Sequence, residues 1–156
     1  MRAGVATAGV KLVLVSACLL GVRCRYDGGS NFSPEVAGAM GTCCLIPVCP
    51  EVLGGLPIPR PPAEVVGGDG TDVLARRARV VTREGGDVTD AFVRGAEEVL
   101  RLAKLAGAEE AWLKGRSPSC GVKCIHDGTF SGGMRPGPGV TAALLGKEGL
   151  RLREID

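Results

Sequence analysis

Three short apolar runs constrain this chain most, because each is followed by a cysteine and then by chain rich in glycine or proline. Cys18 closes the run KLVLVSAC, Cys49 closes CCLIPVC, and Cys120 lies in the loop RSPSCG just after EEAWLK. Continuous apolar runs of this length are typical of strands buried on both faces of a sheet. If these strands are parallel neighbours, the three sulfurs converge at one edge of the sheet, where open α/β folds place their active sites.

The segments between these runs predict a single α/β domain with a three-layer, Rossmann-like and mostly parallel sheet. Helical patterns alternate with the apolar runs, which favours right-handed crossovers between parallel strands. The predicted strands cover residues 12–17, 44–48 and 111–113, a short strand or hairpin arm at 79–82, and an edge strand at 150–155.

Helices and long loops fill the rest of the chain. Ser33 caps a short helix that begins at Pro34, and Thr89 caps the longest helix, which ends at Gly107. A third, apolar helix covers residues 141–147. Two long loops at the active edge, 50–70 and 115–139, are rich in proline and glycine, and loops of that length in compact domains are usually functional.

Length and composition narrow the class of partner. A chain of 156 residues fits one domain, which we place at 11–156 after an N-terminal extension, 1–10. Basic and acidic residues nearly balance, 19 against 17, so no polyanion is indicated. Aromatic residues make up only 3% of the chain, which removes the stacking platforms of nucleic-acid binders. We therefore expect a small-molecule substrate and no nucleic-acid polymer.

The seven cysteines are an odd number and do not match a small secreted disulfide framework. We therefore expect a reducing cytoplasm and no membrane, since no stretch approaches the roughly 20 apolar residues that span a bilayer. A lipoprotein signal ending at Cys18 is the alternative for the N-terminus. Lys11 opposes it, because only Leu12–Ala17 then remains uninterrupted, and an export segment needs about 7–15 apolar residues.

The positions of Cys18, Cys49 and Cys120 indicate a soft metal or iron–sulfur centre with an open coordination position. No pair among them has the C-x-x-C spacing of zinc ribbons or ferredoxins, so position after a strand is the whole argument. Free cysteine is also among the most buried residue types, and each of the three is open to an inert core role.

The other four cysteines are weaker candidates. Cys43 and Cys44 precede the second strand, so we expect them at the opposite edge of the sheet in structural roles. Cys24 and Cys124 fall in the active-edge loops, where they are spare ligand candidates, although surface positions are favoured.

Several polar residues near these cysteines are candidates for proton transfer. Glu51, two residues after Cys49, is placed to act as a general acid or base, or instead to pair with Arg60. Ser117 and Ser119, beside Cys120, are placed to donate hydrogen bonds to a ligand or substrate.

The remaining candidates lie in turns. Asp27 and Asp127 are turn formers by default, and either is also placed to orient a water or a substrate amide. His126, the only histidine, gives thin support to a triad or a zinc site. Residues 128–133 form a glycine-rich segment with the composition of a backbone nest for an anion, a weak signal.

Five motifs together resemble the thiouracil desulfidase family. They are SACLLG at 16–21, RYDGGS at 25–30, PVCPEVLGGLPIPRPPAE at 47–64, SPSCG at 117–121 and DGTFSG at 127–132. The resemblance runs from about Lys11 to the C-terminus and leaves out only the ten-residue extension.

The resemblance implies an oxygen-sensitive [4Fe-4S] cluster held by three cysteines, which match Cys18, Cys49 and Cys120, with the fourth iron open. It further implies that this iron receives the sulfur of a thiocarbonyl without net redox change, that water attacks the carbon, and that sulfide leaves. Glu51 matches the implicated acid, Ser117 or Ser119 the serine, and Asp27 is a further candidate. Cys24 and Cys124 depart from the expected pattern, which leaves a swapped or fourth ligand open.

The leading hypothesis is an enzyme, an iron–sulfur-dependent desulfidase that removes sulfur from a thiolated nucleobase, nucleotide or similar thioamide. The alternative is a non-catalytic module that binds zinc or a cluster for structure. A dithiol redox protein is a third reading, which the lack of a C-x-x-C motif disfavours.

Overall fold

The computed structural model describes residues 9–156, so most of the predicted extension 1–10 lies outside the described residues. The strands are β1 (Lys11–Ser16), β2 (Cys43–Val48), β3 (Ala63–Val66), β4 (Arg79–Thr82), β5 (Glu110–Lys114), β6 (Cys124–His126), β7 (Met134–Pro136) and β8 (Arg151–Ile155). The α-helices are α1 (Pro34–Gly38), α2 (Pro50–Leu53), α3 (Gly70–Leu74), α4 (Thr89–Ala106) and α5 (Val140–Lys147).

Four strands form one parallel sheet in the order β2-β1-β5-β8. This confirms the predicted α/β class and the edge position of the last strand. β1 pairs with β2 along its whole length, from Lys11 opposite Cys43 to Ser16 opposite Val48, and with β5 on its other side. The carboxyl ends of the three cysteine-bearing runs therefore lie side by side.

Helices flank the sheet on both sides, but unequally. The first face packs against α4 and α5 through buried Leu14, Val99, Leu113 and Leu145. The opposite face carries alternate residues of β1, Val13 and Val15, as period-two alternation requires. Short elements cover that face: the 3₁₀ turn Ala17–Leu20, α1 and the 3₁₀ turn Ala39–Gly41.

The predicted N-terminal cap is confirmed for α1 and wrong for α4. The Ser33 hydroxyl accepts a hydrogen bond from the amide of Val36, which confirms the predicted cap of α1. The predicted cap at Thr89 is wrong, because Thr89 is the first helical residue and its side chain bonds the backbone of Val80 on β4 instead. Gly107 ends α4 in a left-handed conformation, as expected.

The two predicted long loops contain regular structure, so those predictions were wrong in part. Residues 50–70 include α2 and β3, and β3 forms an antiparallel hairpin with β4. Residues 115–139 include β6 and β7, a second antiparallel pair. These pairs are only three or four residues long, and so short a strand leaves almost no periodic signal in the sequence.

Within residues 9–156, no helix combines the length and apolar character needed to cross a lipid bilayer.

Candidate active site

A cavity of about 420 Å³ opens at the carboxyl ends of β1, β2 and β5. The chain that leaves each of these strands supplies part of its lining, as the parallel sheet dictates. Both small hairpins close it from the side: Ala63 and Glu64 come from β3, and His126 is the last residue of β6.

The cavity brings together Cys18, Cys49 and Cys120, the three cysteines that the strand ends singled out. Cys24 joins them, so its favoured reading as a surface residue is wrong: only 5% of it is exposed. The Cys49 thiol lies 3.8 Å from the carbonyl oxygen of Cys24. Cys124 does not line the cavity.

Cys43 and Cys44 begin β2, at the opposite end of the sheet, as predicted. All seven cysteines are free thiols.

Hydrogen bonds and burial give the four cavity thiols different pKa values. The Cys24 thiol lowers the pKa of Cys18 to about 6, helped by the Asn31 amide at 3.5 Å, and lowers the pKa of Cys49 to about 7. The same hydrogen bonds raise the pKa of Cys24. Burial raises the pKa of Cys120 to about 12, so that sulfur is a thiol unless a bound cation draws off its proton.

Glu51 lies at the start of α2 and contacts its predicted partner Arg60 and, in addition, Ser119. Its Oε1 accepts a hydrogen bond from Nε of Arg60 at 3.0 Å, and its Oε2 accepts one from Oγ of Ser119 at 3.2 Å. The Arg60 side chain is 5% exposed and also donates to the carbonyl oxygens of Cys24 and Pro57. The ion pair and the position near a reactive centre, two separate readings of the sequence, therefore coexist.

The two candidate serines make different contacts. Ser117 Oγ accepts hydrogen bonds from the amides of Ser119 and Cys120, which ties the loop into a turn. Ser119 Oγ lies 3.0 Å from Ser117 Oγ and 3.7 Å from the sulfur of Cys120, and it is 1% exposed. Since Ser117 already accepts two bonds, its hydroxyl proton points to Ser119, whose own proton points to Glu51.

The two turn aspartates stay at the surface outside the cavity lining. Asp27 accepts a hydrogen bond from the amide of Gly29, and this bond lowers the pKa of Asp27. Asp127 accepts from both the amide and the hydroxyl of Thr129, which lowers its pKa in turn. A direct role for Asp27 in the chemistry stays a prediction.

Sequence reasoning missed several residues of the lining, notably Glu64, Arg83, Phe130 and Arg116. The motifs 47–64 and 127–132 did include Glu64 and Phe130, but nothing in a linear pattern shows that a short hairpin turns them inward. Arg83 and Arg116 looked like ordinary loop charges.

No group of three histidine, cysteine, aspartate or glutamate side chains in residues 9–156 is arranged to hold a single metal ion. The four thiols line one cavity, where the Cys24 side chain is hydrogen-bonded to those of Cys18 and Cys49.

Comparison with known proteins shows which family the chain belongs to. The model of the 2-thiouracil desulfurase family matches residues 13–156. The uncharacterized protein YbbK of Bacillus subtilis (strain 168) is 45% identical over 141 residues, which cover 90% of this chain and 93% of YbbK.

A solved structure, that of the [4Fe-4S]-dependent thiouracil desulfidase TudS, superposes with a TM-score of 0.78 at 44% identity and covers 92% of this chain and 90% of that one. These matches confirm the resemblance drawn from the five sequence motifs. The chain belongs to the 2-thiouracil desulfurase family.

Proposed function

We propose that this chain is a [4Fe-4S]-dependent desulfidase that releases the sulfur of a thiolated nucleobase, or of its nucleotide, as sulfide. Family membership makes it an enzyme of the thiouracil desulfidase type, and the related TudS is described as [4Fe-4S]-dependent. The observation that carries the proposal is the convergence of three strand-end thiols and the Glu51–Ser119 hydrogen bond on one cavity. We assign residues 11–156 to this one domain and place it in the cytoplasm, where free thiols persist.

The donor set fits an iron–sulfur cluster. Thiolates are the ligands that such clusters prefer, and Cys18, Cys49 and Cys120 line the same cavity of about 420 Å³. Cys18, Cys49 and Cys120 would hold it, and three protein ligands leave one iron open. When bound, that iron supplies Lewis acidity toward the sulfur of the substrate.

The residues around the thiols provide a directed path for protons. Hydrolysis of a thiocarbonyl needs a base for the attacking water and a proton for the departing sulfide. Ser119 accepts a proton from that water while its own passes to Oε2 of Glu51, 3.2 Å away. Glu51 then returns a proton to the leaving sulfur by the same route. Ser117 holds Ser119 in place for both transfers.

Charge in the cavity supports a nucleotide as well as a free base. Lys114, Arg83 and Arg116 line it and make no ion pair among the described residues, whereas Glu51 already pairs with Arg60. Unpaired guanidinium groups bind phosphate oxygens in bidentate geometry. A phosphate on the substrate would therefore find cationic partners at the cavity.

An anaerobic reconstitution with iron and sulfide tests the proposal. We expect about four irons per chain, a broad charge-transfer absorbance, and sulfide release from 2-thiouracil, 4-thiouracil or the monophosphates of their nucleosides. Cys18→Ala, Cys49→Ala and Cys120→Ala should each lose cluster and turnover, whereas Cys44→Ala, at the far end of the sheet, should keep both.

Other outcomes separate the alternatives. One zinc per chain with no chromophore would favour a structural metal module. A full cluster in all three cavity variants would refute the ligand assignment.

A further inference from the structure

Glu64 is a buried carboxylate that the proton path does not use. It lies on β3, is 8% exposed and lines the cavity. Its Oε1 accepts hydrogen bonds from the amides of Gly128 at 2.9 Å and Phe130 at 3.1 Å. One oxygen of Glu64 therefore fixes residues 127–133, the loop that joins β6 to β7.

The second oxygen of Glu64 is left without a protein partner. Oε2 has no hydrogen-bond partner within residues 9–156, and it is not among the fully buried atoms that lack one, so it keeps some accessible surface on a residue that lines the cavity. Both oxygens of Glu51, the other carboxylate of the lining, are occupied by Arg60 and Ser119. Burying a carboxylate oxygen to this extent costs folding free energy unless a hydrogen-bond donor reaches it.

Phe130, on the loop that Glu64 fixes, presents an aromatic ring to the same cavity. Its φ of 56° is left-handed, an unfavourable conformation for an aromatic residue, and such strain collects at functional sites. The Arg83 guanidinium lies 5.7 Å from the centre of the ring and holds its orientation. Only five residues of the chain are aromatic, and Phe130, one of them, is half-buried in the cavity wall. An aromatic side chain at this position therefore points to a role in binding.

Together these contacts describe a subsite for a flat ring that carries an N–H group. We propose that Oε2 of Glu64 accepts a hydrogen bond from a ring N–H beside the thiocarbonyl, while Phe130 stacks on the ring; this rests on the function proposed above. Thiouracils offer such N–H donors, and Oε2 of Glu64 is a carboxylate acceptor that no described residue occupies in a lining that also carries arginine, lysine and serine donors. Glu64 is therefore a specificity-determining residue. Its hydrogen bond to the amide of Phe130 also couples recognition of the ring edge to recognition of the ring face.

Glu64→Gln separates the two tasks of this side chain. The glutamine carbonyl oxygen can still accept hydrogen bonds from both loop amides. Its amide nitrogen then takes the place of Oε2, so that one N–H donor meets the N–H donor of the ring. We expect the loop to stay in place and the affinity for uracil, the sulfur-free product, to fall by about ten- to hundredfold, the range of a hydrogen bond to a charged group. Isothermal titration of the cluster-loaded protein measures this without turnover. Glu98→Gln, on α4 and outside the cavity lining, is the matched control and should bind uracil as the parent does.

Methylated ligands test the same contact without any change to the protein. Uracil methylated at the ring nitrogen that Glu64 contacts should bind the parent protein about ten- to hundredfold more weakly than uracil, and methylation should cost little in Glu64→Gln. Phe130→Leu should weaken all these ligands alike, by about five- to fiftyfold, a stacking loss, whereas Phe32→Leu, at an exposed site outside the lining, should not.

Equal binding of uracil and both its N-methyl derivatives by the parent protein overturns the inference, even if Glu64→Gln fails to fold. Sulfide release without that discrimination overturns the subsite alone. Discrimination without sulfide release supports the subsite and refutes the function proposed above.

Discussion

The floor and the wall of the cavity are built by different means. The floor consists of the carboxyl ends of β1, β2 and β5 with Cys18, Cys49 and Cys120, and backbone pairing of a parallel sheet sets its geometry. The wall consists of the β3–β4 and β6–β7 hairpins, which a side chain, Glu64, joins through two backbone amides. The floor is therefore set by backbone pairing, whereas the wall is joined by side chains: the buried packing of Val65 on β3 with Ile125 on β6, and the hydrogen bonds of Glu64.

This difference separates chemistry from recognition. Soft-metal ligands must keep fixed mutual positions, which a buried sheet provides, whereas a binding wall has to match one ligand and can vary with a few side chains. Changes to the floor should consequently affect turnover or cluster content, and changes to the wall should affect affinity.

The largest effect should come from Glu51→Gln, at the floor. Glutamine keeps the shape of the side chain but cannot take the proton that Ser119 delivers. We expect kcat to fall by about 10²- to 10⁴-fold, the usual range for loss of a general acid–base group. The iron content should not change, and KM should move little. Steady-state sulfide release with iron analysis of the same sample measures both, and an unchanged kcat would remove Glu51 from the proton path.

Arg60→Gln should have the next largest effect, because Arg60 positions Glu51 and the loop of Cys24 at the floor. Its guanidinium contacts Glu51, the carbonyl oxygen of Cys24 and that of Pro57, and it is almost fully buried. Breaking a buried ion pair costs about 3–5 kcal/mol of folding free energy, so we expect a large drop in thermal stability together with lower kcat.

Arg60→Lys should not restore the parent stability, since one ammonium cannot reach three acceptors in a planar fan. Thermal unfolding of the three proteins side by side decides this, and full recovery in Arg60→Lys would contradict the positioning role.

Gly95→Ala should produce a smaller effect through the contact between α4 and α2, the short helix that carries Glu51. A Cβ at Gly95 would lie 1.9 Å from the carbonyl oxygen of Pro50, so the two helices must separate. Alanine favours the helix by about 1 kcal/mol, but the overpacking costs about 1–3 kcal/mol. We expect net destabilisation and a reduced kcat, as Glu51 moves away from Ser119.

Gly146→Ala, in α5, is the matched control for that substitution. The nearest atom to its added Cβ is the terminal methyl of Leu152 at 3.4 Å, so the helix gain should exceed the cost and stability should rise. Equal melting shifts for the two alanine variants would show that the α2–α4 contact is not tight.

The same division explains what the sequence could and could not predict. The runs that became β1, β2 and β5 are long enough to show continuous burial, so the strand-end position of Cys18, Cys49 and Cys120 was readable. The pairing of Glu51 with Arg60 was also readable, because the two lie in one motif, whereas the contact of Glu51 with Ser119, 68 residues away, was not. The proton direction from Ser117 to Ser119 follows from the hydrogen bonds that the Ser117 hydroxyl accepts from two backbone amides, and no sequence pattern shows these.

The hairpins of the wall could not be predicted from the sequence, and the reasons are physical. β3 and β6 are four and three residues long, too short for a periodic pattern, and their pairing is fixed by contacts distant in sequence, such as Glu64 to Phe130. Cys24 was misplaced for the same kind of reason: its loop is drawn inward by Arg60, 36 residues away. Thr89 was read as a helix cap because local pattern cannot show that its hydroxyl serves β4.

Asp127→Ala should give the smallest effect, and one confined to the wall. The Asp127 side chain accepts hydrogen bonds from the amide and hydroxyl of Thr129, at the surface and outside the cavity, while its backbone amide bonds Gly133 and is unaffected by the substitution. Because Glu64 still fixes Gly128 and Phe130, we expect KM to rise by less than about tenfold, one modest hydrogen bond's worth, with kcat and iron content unchanged. These bonds lower the pKa of Asp127, so their contribution is complete above the ordinary aspartate pKa of about 4 and fades only as pH falls through the lower folded value. The ratio of KM between variant and parent should therefore stay constant from pH 6 to pH 8, and a loss of iron from Asp127→Ala would show that floor and wall are not independent.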